Sequence, residues 1–226
     1  MSILLHLLFP PRCAACDSAG ESPFCALCAD TLVPLPAGCP VCSAPVSDLA
    51  LPRLKPRRCR SCREHAPPFA VASAPWLHGG ALAEAIHRLK YEGHCELARP
   101  LGVLFEAAVR PRADVLVPIP LHPRRLRERG FDQARLLANA MGARFGLRVL
   151  PLVQKVRETG PQVGRDRLSR ERNVRGAFRA DRRIGGLRVC LVDDVLTTGA
   201  TASAAALACL SAGAARVEVR TLARAP

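Results

Sequence analysis

Beyond residue 78 the apolar positions fall into two alternating rhythms. Leu82, Ala85, Ile86 and Leu89 recur every three to four residues, which predicts a helix over 79–91. A second helical stretch covers 96–109. Val115-Leu116-Val117-Pro118-Ile119 is an uninterrupted apolar run and reads as a buried strand. An Arg-rich loop follows, then a helix near 131–145 and a short strand within Leu150–Val156. Residues 157–175 are charged with little apolar periodicity. Leu187–Val192 is the strongest core strand, followed by a helix near 201–212 and a closing strand at Arg216–Leu222. Strands alternating with helices predict an α/β domain with a mostly parallel sheet.

Residues 1–68 follow neither rhythm. They hold eight of the 11 cysteines and 11 of the 20 prolines. Such a segment cannot build a large apolar core, and small modules of this kind depend on a metal or on disulfides. The expected division is therefore a double zinc ribbon over 1–68 and an α/β domain over 69–226, joined within 64–75. The cysteines form four C-x-x-C knuckles: Cys13/Cys16, Cys25/Cys28, Cys39/Cys42 and Cys59/Cys62. Two knuckles complete a tetrahedral four-thiolate site of the kind structural zinc prefers, so eight thiolates suit two zinc ions. Sequential pairing is simplest, and spacing alone leaves interleaved pairing open. A disulfide or redox role explains one C-x-x-C better than four in series. Arg53, Lys55, Arg57, Arg58, Arg60 and Arg63 surround the last knuckle, either as a solvated face or as a nucleic-acid contact. Cys190 and Cys209 are expected to be small core residues, and Cys95 stands alone.

The stretch 3–9 is apolar, lacks a basic flank and stops at Pro10-Pro11, so a short capping helix is expected rather than a secretory signal. No run approaches 18 apolar residues, which excludes a transmembrane helix. The expected setting is cytoplasmic, where thiols stay reduced.

The most informative stretch is Val189-Cys190-Leu191-Val192-Asp193-Asp194-Val195-Leu196-Thr197-Thr198-Gly199-Ala200-Thr201. A buried strand delivers two carboxylates to its C-terminal end, and a Thr/Gly loop then opens a helix. Ligands of open α/β sheets bind at that edge. The loop N–H groups from Thr197 through Ala200, the threonine hydroxyls and the helix start can hold a phosphate, with Gly199 allowing close approach. Two carboxylates suit vicinal ribose hydroxyls and can also sit near Mg²⁺. No G-x-x-x-x-G-K-[ST] occurs, so an ordinary P-loop is not supported. The stretch resembles the signature of type I phosphoribosyltransferases. That resemblance implies that Asp193 and Asp194 grip the ribose of 5-phosphoribosyl-1-diphosphate (PRPP), while Thr197–Thr201 holds its 5-phosphate. Purine-salvage members usually carry Asp where this chain has Thr197, which makes purine salvage a poor fit.

Pro118-Ile119-Pro120-Leu121-His122 ends the earlier strand, and Arg124, Arg125, Arg127 and Arg129 follow. Guanidinium forks pair bidentately with phosphate oxygens, so Arg124 and Arg125 are the candidate diphosphate and catalytic residues. Arg127 and Arg129 are expected to face solvent, and His122 is either a ligand contact or a structural residue. Thr159-Gly160-Pro161-Gln162, continuing to Arg172, Asn173 and Gly176-Ala177-Phe178, suits a mobile lid or an exposed connection.

Taken in order, the four knuckles, Leu89-Lys90-Tyr91-x-Gly93, Pro118-x-Pro120-Leu121, Arg124–Phe131 with Gln133, Thr159-x-x-Gln162, Arg172-Asn173 and Asp193–Thr201 resemble the ComF (competence protein F, ComFC-like) family over nearly the whole chain. The resemblance implies a type I phosphoribosyltransferase-like domain behind a double zinc ribbon, PRPP with Mg²⁺ as ligand, and a bacterial role in DNA uptake during natural transformation. Asp132 departs from the family's usual Asn. Two functions follow. One is a phosphoribosyltransferase of unknown acceptor. The other is a PRPP-sensing or single-stranded-DNA-binding adaptor with competence proteins as partners.

Charge sharpens this picture. The chain carries 33 Lys+Arg against 19 Asp+Glu, a net +14, and 30 of the basic residues are Arg. Residues 1–68 carry net +2 and residues 69–226 net +12. That placement favours a multiply phosphorylated ligand over a general nucleic-acid coat, and the single Trp and single Tyr weaken a stacking model for single-stranded DNA.

Overall fold

The computed structural model describes residues 11–20, 23–45, 57–158 and 176–226. The expected N-terminal helix, the residues Arg53 and Lys55, and the motifs Thr159–Gln162 and Arg172-Asn173 lie outside them.

Six strands form one parallel sheet: β1 (Val71–Ser73), β2 (Trp76–Leu77), β3 (Val115–Pro118), β4 (Arg148–Val149), β7 (Arg188–Leu196) and β8 (Arg216–Arg224). Its order is β1–β8–β7–β3–β4, with β2 continuing β1 along β8. A separate antiparallel ribbon pairs β5 (Val153–Lys155) with β6 (Phe178–Ala180). The helices are α1 (Ala26–Ala29), α2 (Arg60–Glu64), α3 (Gly80–Tyr91), α4 (Ala98–Val103), α5 (Pro123–Arg129), α6 (Gln133–Phe145) and α7 (Ala200–Ser211).

The central strands are apolar on both sides because both faces are covered, as parallel sheets require. Leu116, Cys190, Val192 and Leu222 face one layer with α3, α4 and α6. Val115, Val117, Val189, Leu191, Val217 and Val219 face the other, with α7 and the β5–β6 ribbon. Leu82, Ile86 and Leu89 of α3 are fully buried, each worth about 1.5–3 kcal/mol. Gly102 lets α4 lie against α6, since a Cβ there would overlap that of Ala140.

The topology reverses between β3 and β7. From β3 the chain crosses through α6 to β4 on one side; from β7 it crosses through α7 to β8 on the other. The two crossover helices lie on opposite faces, which leaves a crevice beyond the C-terminal ends of β3 and β7.

Several elements differ from the sequence expectation. The predicted helix at 96–109 is a broken series, with 3₁₀ turns at Cys95–Leu97 and Leu104–Ala107 flanking α4. The Arg run is a helix rather than a loop. His122 caps it by accepting from the Arg124 N–H (3.3 Å), Pro123 occupies its first turn, and Gly130 ends it at φ +83°. The strands β1 and β2 escape detection because they are only three and two residues long and are separated at Ala74-Pro75.

The cysteine-bearing chain straddles this sheet edge. Cys13, Ala14 and Phe24 pack into the α3 side, while Val41 and Cys42 pack against the α7 side. Between them Leu35 N–H donates to Pro75, and Leu77 N–H donates to Val33, so residues 33–35 cover the edge strand.

Candidate ligand site and cysteine centres

Four sulfurs meet at each of two points. Cys13, Cys16, Cys25 and Cys28 have their Sγ atoms within 4.8 Å of one another, and so do Cys39, Cys42, Cys59 and Cys62. The grouping is sequential. Both centres share one construction. The first knuckle is a tight turn in which Asp17 N–H donates to Cys13 O (3.0 Å) and Ser43 N–H to Cys39 O (2.8 Å). Asp17 and Ser43, each just after a knuckle's second cysteine, are the two non-glycine residues with positive φ among those described. The second knuckle opens a short helix, with Cys25 and Cys59 as its capping residues.

The donor sets fit zinc. A tetrahedron of ~2.3 Å Zn–S bonds has S···S edges of ~3.8 Å. Cys16 and Cys25 lie 3.8 Å apart, and Cys42 and Cys59 lie 3.6 Å apart, far beyond a disulfide. Four thiols this close cannot all ionise without a cation. Hydrogen bonds from Ser18 draw Cys16 down to about 6, while burial and the neighbouring sulfurs push Cys28 up to about 12.

The second site lies at the β3/β7 crevice. Strand alternation sends Asp193 and Asp194 of β7 to opposite faces. Asp194 is buried and bound from two helices. Lys90 Nζ of α3 lies 2.6 Å from its Oδ1, and Gln133 Nε2 of α6 donates to its Oδ2 (3.0 Å). Arg129 donates to Gln133 Oε1 (2.6 Å) and lies over the Tyr91 ring at 5.2 Å. Burial works against the Lys90 ammonium, but Asp194 outweighs it and raises the lysine pKa. His78 sits in the same field, and burial followed by Lys90 lowers its pKa.

Asp193 is half-buried on the other face. Loss of water, then the charge of Asp194, push its pKa up to about 8. Lys155 of β5 stands over the Phe178 ring at 5.6 Å; burial lowers its pKa, opposed by Asp193 and reinforced by Arg125. Past Leu196 the chain turns through Thr197, Thr198 and Gly199, the last at φ +81°, where only glycine is unstrained. Thr198 Oγ1 accepts from Ala200 N–H at 3.4 Å, and α7 begins there. Thr197 and Thr198 are exposed at the helix start; Thr201 is the second residue of α7, within its first turn.

Relatives align over most of the chain. The chain is 31% identical over 209 residues to the DNA utilization protein YhgH of Salmonella typhi, covering 88% of this chain and 89% of that protein. It is 25% identical over 234 residues to competence protein F of Haemophilus influenzae, covering 98% and 93%. The chain belongs to the ComF family. Comparison with protein-family models finds no match. Among solved structures, a glutamine PRPP amidotransferase from B. subtilis complexed with ADP and GMP aligns at 25% identity with a TM-score of 0.38, covering 54% of this chain and 25% of that one.

In this ComF chain Lys90 and Gln133 hold Asp194. Spacing gave no reason to single them out, because they reach Asp194 from separate helices. Arg129, expected in solvent, is half-buried in the same chain of contacts. Arg124 and Arg125 are exposed on α5: Arg124 Nε lies 3.0 Å from Glu128 and its other arm 3.5 Å from Glu158, and Arg125 lies 3.8 Å from Glu128. Asp132 caps α6, accepting from Arg135 N–H (3.2 Å) and from Leu121 N–H (3.3 Å). It therefore joins the end of the β3 segment to α6. On the far side of the Thr/Gly loop a groove of about 1190 Å³ is lined by Thr197, Thr198, Phe69, Phe178, Arg179, Arg224 and the second cysteine centre. No described helix is long and apolar enough to cross a membrane.

Proposed function

We propose that this ComF-family chain binds a 5-phosphoribosyl-1-diphosphate ligand with Mg²⁺ and acts in the handling of incoming DNA, as the names of its relatives suggest. The observation that carries the reading is the adjacent pair Asp193-Asp194 at the end of β7, beside the topological reversal and directly before the Thr/Gly turn that opens α7. Asp193 and Asp194 hold the ribose hydroxyls, Thr197–Thr201 with its backbone N–H groups holds the 5-phosphate, and Arg124 and Arg125 meet the diphosphate.

The carboxylates suit magnesium in the way that suits a phosphorylated substrate. The described acidic groups form no three-ligand cage there, and Mg²⁺ is commonly held by one or two carboxylates plus phosphate oxygens. Asp194 is already taken by Lys90, which leaves Asp193 as the oxygen donor. Magnesium brought with the diphosphate supplies positive charge against the departing group. The chain's residues fix the ribose and hold the two phosphate ends, so that the C1–O bond lies in the crevice as it breaks and an acceptor lone pair takes its place on C1. The relevant test measures PRPP·Mg binding by calorimetry in the wild type and in Asp193→Asn/Asp194→Asn, then diphosphate release with a panel of amine and base acceptors. Binding lost in the double variant supports the assignment. A wild type that does not bind overturns it, and binding without release with any acceptor makes the chain a PRPP-sensing adaptor.

A second reading rests on the groove. Two exposed arginines, Arg179 and Arg182, line it near the phosphate loop and suit the phosphates of a single strand of DNA. Salt-dependent single-stranded-DNA binding that survives Asp193→Asn/Asp194→Asn favours this surface, and no such binding removes it.

A further inference from the structure

Two buried arginines each tie one cysteine centre to one half of the ligand site. Arg88 of α3 is 8% exposed. Its guanidinium donates to the carbonyls of Ala14 (3.0 Å) and Cys13 (3.4 Å) and to Asp17 Oδ1 (3.3 Å). The first two lie in the first knuckle, and Asp17 directly follows it. Two residues further along the same helix, Lys90 holds Asp194. Arg224 ends β8 and is also 8% exposed. Its Nε donates to the carbonyl of Cys42 (3.2 Å), inside the third knuckle. Its Nη1 donates to the carbonyl of Leu196 (3.0 Å) and to that of Ala225. Leu196 immediately precedes the Thr197–Thr201 loop.

A C-x-x-C turn aims its carbonyls by closing around its metal. If the sulfurs separate, the turn opens and a buried guanidinium loses charge-assisted bonds it cannot replace with water. The arginine must then move, and its other partner moves with it. For Arg224 that partner is the backbone at the root of the phosphate loop. For Arg88 it is the helix that carries Lys90.

We infer that Arg224 and Arg88 are positioning residues that make ligand binding depend on metal in the cysteine centres: Arg224 couples the second centre to the phosphate loop, and Arg88 couples the first centre to Asp194. This rests on the phosphoribosyl reading of the site. Coupling of binding free energies is reciprocal, so a phosphorylated ligand also retards loss of the metal. A purely structural arginine produces no such reciprocity.

The test uses the full-length zinc-loaded protein. Affinity for ribose 5-phosphate and for PRPP·Mg is measured by calorimetry, and zinc release to a chromogenic chelator is followed with and without ribose 5-phosphate. In the wild type, ribose 5-phosphate slows release of one of the two zinc ions. Arg224→Gln weakens ribose 5-phosphate binding about tenfold, within the usual range of such couplings, and abolishes the retardation. Arg88→Gln speeds release of the other ion and weakens PRPP·Mg and ribose 5-phosphate alike, because both carry the ribose hydroxyls assigned to Asp194. If Arg224→Gln does not fold, Arg224→Lys retains the charge, loses the fork and is read by the same release assay. Wild-type binding with no effect of ligand on zinc release, or with unchanged affinity in Arg224→Gln and Arg224→Lys, overturns the coupling and leaves the phosphoribosyl reading intact. Failure of the wild type to bind either compound overturns that reading and the coupling with it.

Discussion

Lys90 Nζ lies 2.6 Å from Asp194 Oδ1, with the two side chains 20% and 4% exposed. One residue comes from the first long helix and the other from the central strand, 104 positions later in the chain. Removing one partner strands a buried charge, which is far costlier than replacing both. Lys90→Met is therefore expected to lower stability by about 3 kcal/mol in urea unfolding. Lys90→Met/Asp194→Asn is expected to recover most of that loss. Equal destabilisation in the single and double variants shows that the pair is not the source.

Asp193 titrates near 8 when folded and near 3.8 as an ordinary carboxyl. Between those values the folded state holds a proton that the unfolded chain has released, so stability falls as pH rises from about 4 to about 8. Asp193→Asn removes that slope. The variant is expected to match the wild type near pH 4 and to exceed it in melting temperature at pH 8–9. A pH profile with the same slope in both proteins contradicts the raised pKa.

How much of this was readable in the chain follows from the range of each interaction. The apolar run at Val189–Val192 and the spacing of the eight knuckle cysteines are local signals, so the central strand and the donor sets were legible. The carboxylates and the Thr/Gly turn lie on one continuous stretch and were legible for the same reason. Lys90, Gln133, His78 and Lys155 are not readable from the chain as site neighbours, because what brings them there is the packing of α3, α6 and β5 around the end of β7. The helix at Pro123–Arg129 was hidden by its four arginines, which read as a loop until the His122 cap is seen.

Asp132 separates two roles that a sequence comparison cannot. Its Oδ1 caps α6 by accepting from Arg135 N–H, and its Oδ2 accepts from Leu121 N–H. Asn keeps one oxygen, enough for the cap, but sets its NH2 against the other N–H, so the bond to Leu121 is lost. Asp132→Asn is therefore expected to cost about 1 kcal/mol, and Asp132→Ala about 1 kcal/mol more because the cap goes as well. Thermal denaturation of the two variants side by side checks this, and an Asn variant as stable as the wild type shows that the Leu121 bond contributes nothing.

The eleven cysteines fall into three reactivity classes. Cys95 is exposed and belongs to neither centre. Eight thiols are grouped in the two centres, where a zinc ion in each would hold them as shielded thiolates. Cys190 and Cys209 are buried, and burial pushes each up to about 12, which removes the nucleophilic thiolate. Titration of the zinc-loaded protein with a thiol-reactive chromophore is therefore expected to give one rapid equivalent. A strong chelator releases two zinc ions per chain and exposes eight more thiols, and the last two react only on denaturation. Nine rapid equivalents before chelation contradict metal in the centres. Four thiols and one zinc released together by the chelator show that only one centre is loaded.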